Sequence, residues 1–160
     1  MFITTDEAKK KALNAARMLS MSGEAEFSNW NNVVVGEPVL VRDLHGRPGY
    51  WLVPFLSEGR LVGFARITGA GEVAAIGALS GAPVVTGITS VQALERVKTS
   101  LNFDVDERLA EPVFVYDSSP GREAWLIETS KSGRPWRWIF VTPTFIYERR
   151  AGIEPDLSME

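Results

Sequence analysis

The stretch EPVLVRDLHGRPGYWLVPFLSEGR occupies residues 37–60, and EPVFVYDSSPGREAWLIETSKSGR occupies residues 111–134. Laid over each other without gaps, the two keep one offset of 74 residues, and nine of their 24 positions are identical. Average composition gives only about one or two such matches. The identities include Glu37/Glu111, Pro38/Pro112, Asp43/Asp117 and Gly59/Gly133. Trp is a rare residue, so the pairing of Trp51 with Trp125 weighs heavily. A match at fixed spacing is the mark of a repeated unit.

The segments upstream agree. ITTDEA (residues 3–8) precedes the first stretch and ITSVQA (residues 88–93) precedes the second. Thr4 with Glu7, and Thr89 with Gln92, each have capping-box spacing, with Ile3 and Ile88 placed to begin a hydrophobic staple. Ala8, Ala12, Ala16 and Leu19 recur at helical spacing, so a helix is expected over 5–22, with Gly23 as its stop. A second helix is expected over 90–101, with Ala93, Leu94, Val97 and Leu101 facing inward. The two helix starts are 85 residues apart, so the first unit carries 11 extra residues between helix and strands, within residues 22–36.

Strand-like runs with glycine-bearing connections follow each helix. They are PVLVRDL, YWLVPFL, RLVGFARIT and EVAAIGA in the first unit, and PVFVYDS, AWLIETS, WRWIFVT and TFIYERR in the second. Short turns between neighbours imply antiparallel hairpins. The expected fold class is α+β: two tandem helix-plus-antiparallel-sheet repeats of α-β-β-β-β order. The expected divisions are 1–86, 87–151 and a loose tail at 152–160. Several strands are apolar on both faces, and one helix covers only one. The second face needs the other repeat's sheet, residues of 22–36 such as Phe27 and Trp30, or a second molecule forming a homodimer.

The 160 residues carry 17 Lys and Arg against 20 Asp and Glu, a net charge of −3, which lacks the footprint of a nucleic-acid or anionic-membrane binder. Cysteine is absent, which removes disulfides, thiolate metal sites and thiol nucleophiles. MFITTDEAKKKALN has no apolar core of signal-peptide length, so a cytoplasmic location is expected. The most apolar run, Val73 to Ile88, is short and interrupted by Gly77, Gly81, Pro83 and Gly87, so no membrane insertion is expected.

The opening Ile-Thr-x-x-x-Ala, followed by antiparallel strands and hairpins ending in Gly-Arg, resembles the PepSY and cystatin-like group of small domains. The resemblance implies two tandem copies of such a unit and a protein- or peptide-binding module, which either inhibits a peptidase or binds another protein.

The residues themselves offer little chemistry. His45 is the one histidine and falls in an expected hairpin tip, where a general base would be poorly held. Neither catalytic residues, nor a metal site, nor a cofactor is expected. DVDERLAE (residues 104–111) is read as a solvated connection without the pattern of a calcium loop. GAGEVAAIG (residues 69–77) is strand-like where a phosphate cradle needs a helix. Asp43 and Asp117 are read as turn-initiating residues. Trp136 and Trp138 are expected to pack under a helix, with Arg137 on the other face, although aromatics beside arginine also suit partner binding. Candidate partner-binding residues are therefore Arg47, Arg60, Arg122 and Arg134 at the hairpin tips, with Trp136 and Trp138. A homodimerising structural protein, and a small-ligand carrier or enzyme with a helix–sheet cavity, stand as alternatives.

Overall fold

Thr4 decides where the first helix begins. Its hydroxyl accepts from the Glu7 backbone N–H at 3.2 Å, and α1 runs over Thr5–Ser20. Thr89 does the same for Gln92 at 3.1 Å and opens α2, Ser90–Ser100. The capping box is complete only at α2, where the Thr89 N–H donates to the Gln92 side chain at 2.9 Å. At α1 the Glu7 carboxylate accepts from the Thr4 hydroxyl instead. α1 stops two residues short of expectation. The Ser20 and Ser22 hydroxyls donate to the Arg17 and Leu19 carbonyls, competing with the backbone there.

The computed structural model describes residues 1–152. Most of the tail read at 152–160 lies outside the described residues. Among those described, the fold is α+β, with two α-helices, two 3₁₀ turns and ten strands. The chain divides into two compact units. The first is Met1–Val41 with Arg47–Val85; the second is Arg42–Gly46 with the chain from Thr86 on. No described helix is long and apolar enough to cross a membrane.

In the first unit β1 (Val34–Val35) pairs with β3 (Pro48–Ser57), and β3 pairs with β4 (Arg60–Thr68). β4 pairs in turn with β5 (Val73–Ala78), and all three pairings are antiparallel. β2 (Val39–Arg42) begins in the first unit, and its last residue, Arg42, belongs to the second unit and pairs parallel with Val115 within it. In the second unit β6 (Glu107–Leu109) and β7 (Val113–Tyr116) both pair with β8 (Glu123–Lys131). β8 pairs with β9 (Arg134–Val141), and β9 with β10 (Ile146–Arg150), again antiparallel. Each unit thus holds β1 or β6 beyond the four expected runs. At two and three residues these are too short for periodicity to reveal.

The offset of 74 recurs in the pairing. Trp51, Val53 and Phe55 face Ile67, Ala65 and Gly63, as Trp125, Ile127 and Thr129 face Val141, Ile139 and Arg137. Both hairpins shift register just after Phe55 and Thr129. Both turn through two residues of positive φ, Glu58–Gly59 and Ser132–Gly133, the geometry that matches strand twist. The Gly36 N–H donates to the Pro54 carbonyl at 3.0 Å, as Ala110 donates to Glu128 at 2.8 Å.

One further bond joins each helix to its sheet. The Trp51 indole N–H donates to the Ile3 carbonyl at 3.0 Å, and the Trp125 indole N–H donates to the Ile88 carbonyl at 2.9 Å. Beside each bond, one bulky ring lies on a glycine. In the first unit a Cβ on Gly69 would meet the Phe2 ring. In the second, the glycine is Gly87 and the ring is that of Pro143, so large and small have changed places.

Each helix lays small residues on its sheet: Ala8, Ala12 and Ala16 in α1, Ala93 and Val97 in α2. The insertion completes the first core. Phe27 and Trp30 join the α1-side cluster with Phe55 and Ile67, so they thicken the covered face rather than the second one. Trp30 takes the space over Gly63, where a Cβ would overlap its ring.

Replacing Trp51 or Trp125 by Phe keeps an aromatic side chain but removes the pyrrole part of the indole and leaves an isoleucine carbonyl without its donor. We expect each variant to lose about 1–3 kcal/mol of unfolding free energy in urea. A loss within error for both would show the indole bonds to be incidental.

Candidate functional site

Alternation along β8 and β9 sorts the second unit into two faces. Ile127, Ile139 and Val141 pack with Ala93 and Val97 of α2. Ala124, Leu126, Trp138 and Phe140 form a separate cluster with Val115 and Leu44. Trp138 is therefore buried, as the sequence suggests, but on the face away from α2. Arg137 is the residue on the helix side.

Leu44 comes from the turn Arg42–Gly46, which folds with this unit. The turn is stapled twice: Arg42 donates to the Gly46 carbonyl at 2.8 Å, and the His45 N–H donates to Asp43 Oδ1 at 2.9 Å. Its geometry turns Leu44 inward and leaves the His45 side chain exposed.

Two buried ionic clusters anchor the unit. Asp117, read as a turn former, is wholly buried. Arg149 donates to both its oxygens at 2.8 Å, and the Tyr147 hydroxyl donates to Oδ2 at 2.6 Å. The guanidinium lies 4.4 Å above the Phe140 ring, which stacks on Tyr147. Burial pushes the Asp117 carboxyl up, but bonds from Arg149 and Tyr147, with the nearby charges of Arg149 and Arg122, hold it below the usual carboxylate range. Burial and Asp117 raise the Tyr147 phenol, which stays protonated at any ordinary pH.

The second cluster corrects the reading of residues 104–111 as a solvated connection. Glu107 is buried within them and accepts from Arg137 Nε at 2.7 Å. Arg137 also donates to Glu148 and to the Asn102 carbonyl, each at 2.8 Å, and lies over Phe103. Arg137 occupies the position that Gly63 holds at the same offset in the first unit. Without an insertion to supply a Trp30, the second unit fills that place with an ion pair.

A groove crosses the face away from α2. Two clefts, of about 360 and 280 Å³, both include Glu128 and Trp138. The larger extends to Arg108 and to the turn at Gly133 and Pro135. The smaller extends over Val113 and Leu126 to Glu111 and the Asp43–Gly46 turn. Trp138, 7% exposed, lies between them as a floor. Glu128 is exposed, and Val113 keeps 39% of its surface open. Among the described residues no three His, Asp or Glu side chains are grouped to hold a metal ion.

The residues singled out from the sequence fall in several places. Arg47, Arg60, Arg122 and Arg134 are all exposed. Arg47 and Arg60 flank opposite ends of β3, and Arg122 and Arg134 flank opposite ends of β8, about 30 Å apart for strands of this length. No pair within a unit converges on one point. Arg134 adjoins the Gly133–Pro135 rim, so it shares an end of the groove with Trp136 and Trp138. Trp136 is 41% exposed, with the Lys131 ammonium 4.8 Å and the Arg150 guanidinium 5.9 Å from its ring. Glu128 was not singled out, although a carboxylate in register with Ala124 and Leu126 is a legible interruption of an apolar row.

Comparison with family models finds no match for this chain, and neither do comparisons with curated proteins and with solved structures.

Asp117→Asn breaks a buried pair and strands Arg149. We expect a loss of about 3–5 kcal/mol at neutral pH. The folded Asp117 carboxyl titrates below its unfolded value, so its contribution is full above about pH 4 and fades as pH falls through the lower folded value. The wild-type chain should lose more stability than the variant on acidification from neutral to that range, as read by urea midpoints. Equal losses would contradict the assignment.

Proposed function

We propose that the chain is a non-enzymatic binding protein that takes an extended polypeptide segment in the groove over Trp138. The groove itself carries this proposal. It joins two clefts that share Glu128 and Trp138, it has an apolar floor, and polar side chains stand along its rim. That combination suits a peptide lying along a sheet, with pockets for alternate side chains. Val113, Leu126 and Trp138 supply apolar contact, while Glu128 stands at the junction of the two clefts, able to accept from a backbone N–H or a cationic side chain.

The offset relating the units adds support. The position of Glu128 is held in the first unit by Pro54, which is buried. That of Trp138 is held by Phe64. We read the two units as tandem copies of a PepSY- or cystatin-like unit, of which the second has changed the residues at this face. The resemblance favours a polypeptide as ligand, with a peptidase as the narrower partner class. Arg134 and Trp136 then extend the contact at one end. The hairpin-tip arginines Arg47, Arg60 and Arg122 are outlying contacts for a larger partner.

Selection from a displayed library of random peptides, followed by calorimetry with the full chain, tests this proposal. We expect Glu128→Lys to weaken the selected peptides about tenfold or more, and Glu95→Lys on α2 to leave binding unchanged. Failure to select any peptide, or equal effects of the two variants, would overturn it.

A further inference from the structure

Four described strands have a single hydrogen-bonded neighbour: β1 and β6, of two and three residues, and the longer β5 and β10. Such edges present unpaired N–H and C=O groups, and proteins blunt them with charge, proline, bulges or covering segments. β10 is blunted, since its sequence IYERR carries three charges in five residues.

β5 is different. Its sequence VAAIGA has neither charge nor proline. None of its six residues is buried, and Val73, Ala74 and Ala78 are exposed. One irregularity, between Arg66 and Ile67 on the partner strand, sets Ala74 out of register at one end and leaves Ala75–Ala78 regularly paired. The direction of the free groups follows from one bond. The Leu79 N–H donates to the Val62 carbonyl at 2.9 Å. N–H groups along an antiparallel strand alternate between its two sides, so Gly77 and Ala75 also face β4, while Ile76 and Ala78 turn theirs to the open edge.

We propose that β5 pairs, antiparallel and edge to edge, with β5 of a second copy of this chain. An antiparallel pairing of one strand with itself is two-fold symmetric, so every outward donor on one copy has an outward acceptor on the other. The strand has no charge to oppose its own image across the pair, where like charges are destabilising. Two-fold pairing uses up both edges, so association stops at the dimer rather than running on into a filament. This surface belongs to the first unit and is independent of the groove in the second.

Sedimentation equilibrium of the full chain, from micromolar to millimolar concentration, tests the pairing. We expect a reversible monomer–dimer equilibrium. Ala78→Pro removes an outward donor and spares the bonds to β4. Ala78→Lys keeps the donor but sets like charges beside the symmetric pair. Each should raise the dissociation constant about tenfold or more, with the far-ultraviolet circular dichroism unchanged. Should the proline variant misfold, the lysine variant decides alone. A wild-type chain that stays monomeric, assembly beyond the dimer, or a dimer indifferent to Ala78→Lys would each overturn the proposal.

Discussion

An indole N–H bonded to the carbonyl just ahead of a helix fixes the geometry of each unit. A helix start is a loose joint, because its first backbone groups have no partners within the helix. The threonine caps satisfy donors there, at Thr4 and Thr89. The tryptophans do something else. Trp51 and Trp125 stand in the middle strands β3 and β8, and each holds the carbonyl of the residue ahead of a cap. The start of the helix is thereby tied to a chosen point of the sheet. With one end tied, the apolar side of the helix meets the strand residues inward of that tryptophan: Val53 and Phe55 for α1, Ile127 for α2.

Around that constraint the units fill their space by different chemistry. At one position Gly63 lies under the Trp30 ring, and at the position 74 residues on Arg137 pairs with buried Glu107. A buried charge is tolerable only when fully bonded. Arg137 meets that condition through two carboxylates, a backbone carbonyl and an aromatic ring. Asp117 meets it through Arg149 and Tyr147. Among the described residues no buried polar side-chain atom lacks a partner. With its charges satisfied inside, the second unit can carry an exposed Glu128 beside an apolar floor, where the first unit carries Pro54.

Much of the scaffold was legible in the sequence, because local chemistry writes it. Threonine caps, alanines at helical spacing and Gly-bearing hairpin turns each state their role within a few residues. What stayed hidden depends on residues distant in sequence. Asp117 is a plausible turn former until β10 brings Arg149 and Tyr147 to it, some 30 positions later. Leu44 looks like an ordinary hairpin residue, and nothing nearby says that its turn folds with the second unit. The groove was half visible: Trp138 stood out, whereas Glu128 gains meaning only once the clefts on either side of it are seen to meet.

Hydrogen exchange of the indole N–H groups, followed residue by residue in nuclear magnetic resonance spectra, tests the central claim most directly. Trp51 and Trp125 should both exchange slowly, at rates set by opening of their units, while the half-open Trp136 exchanges quickly. Exchange of either Trp51 or Trp125 at the rate of an exposed indole would mean that its helix is not held to the sheet by this bond, and would contradict the account.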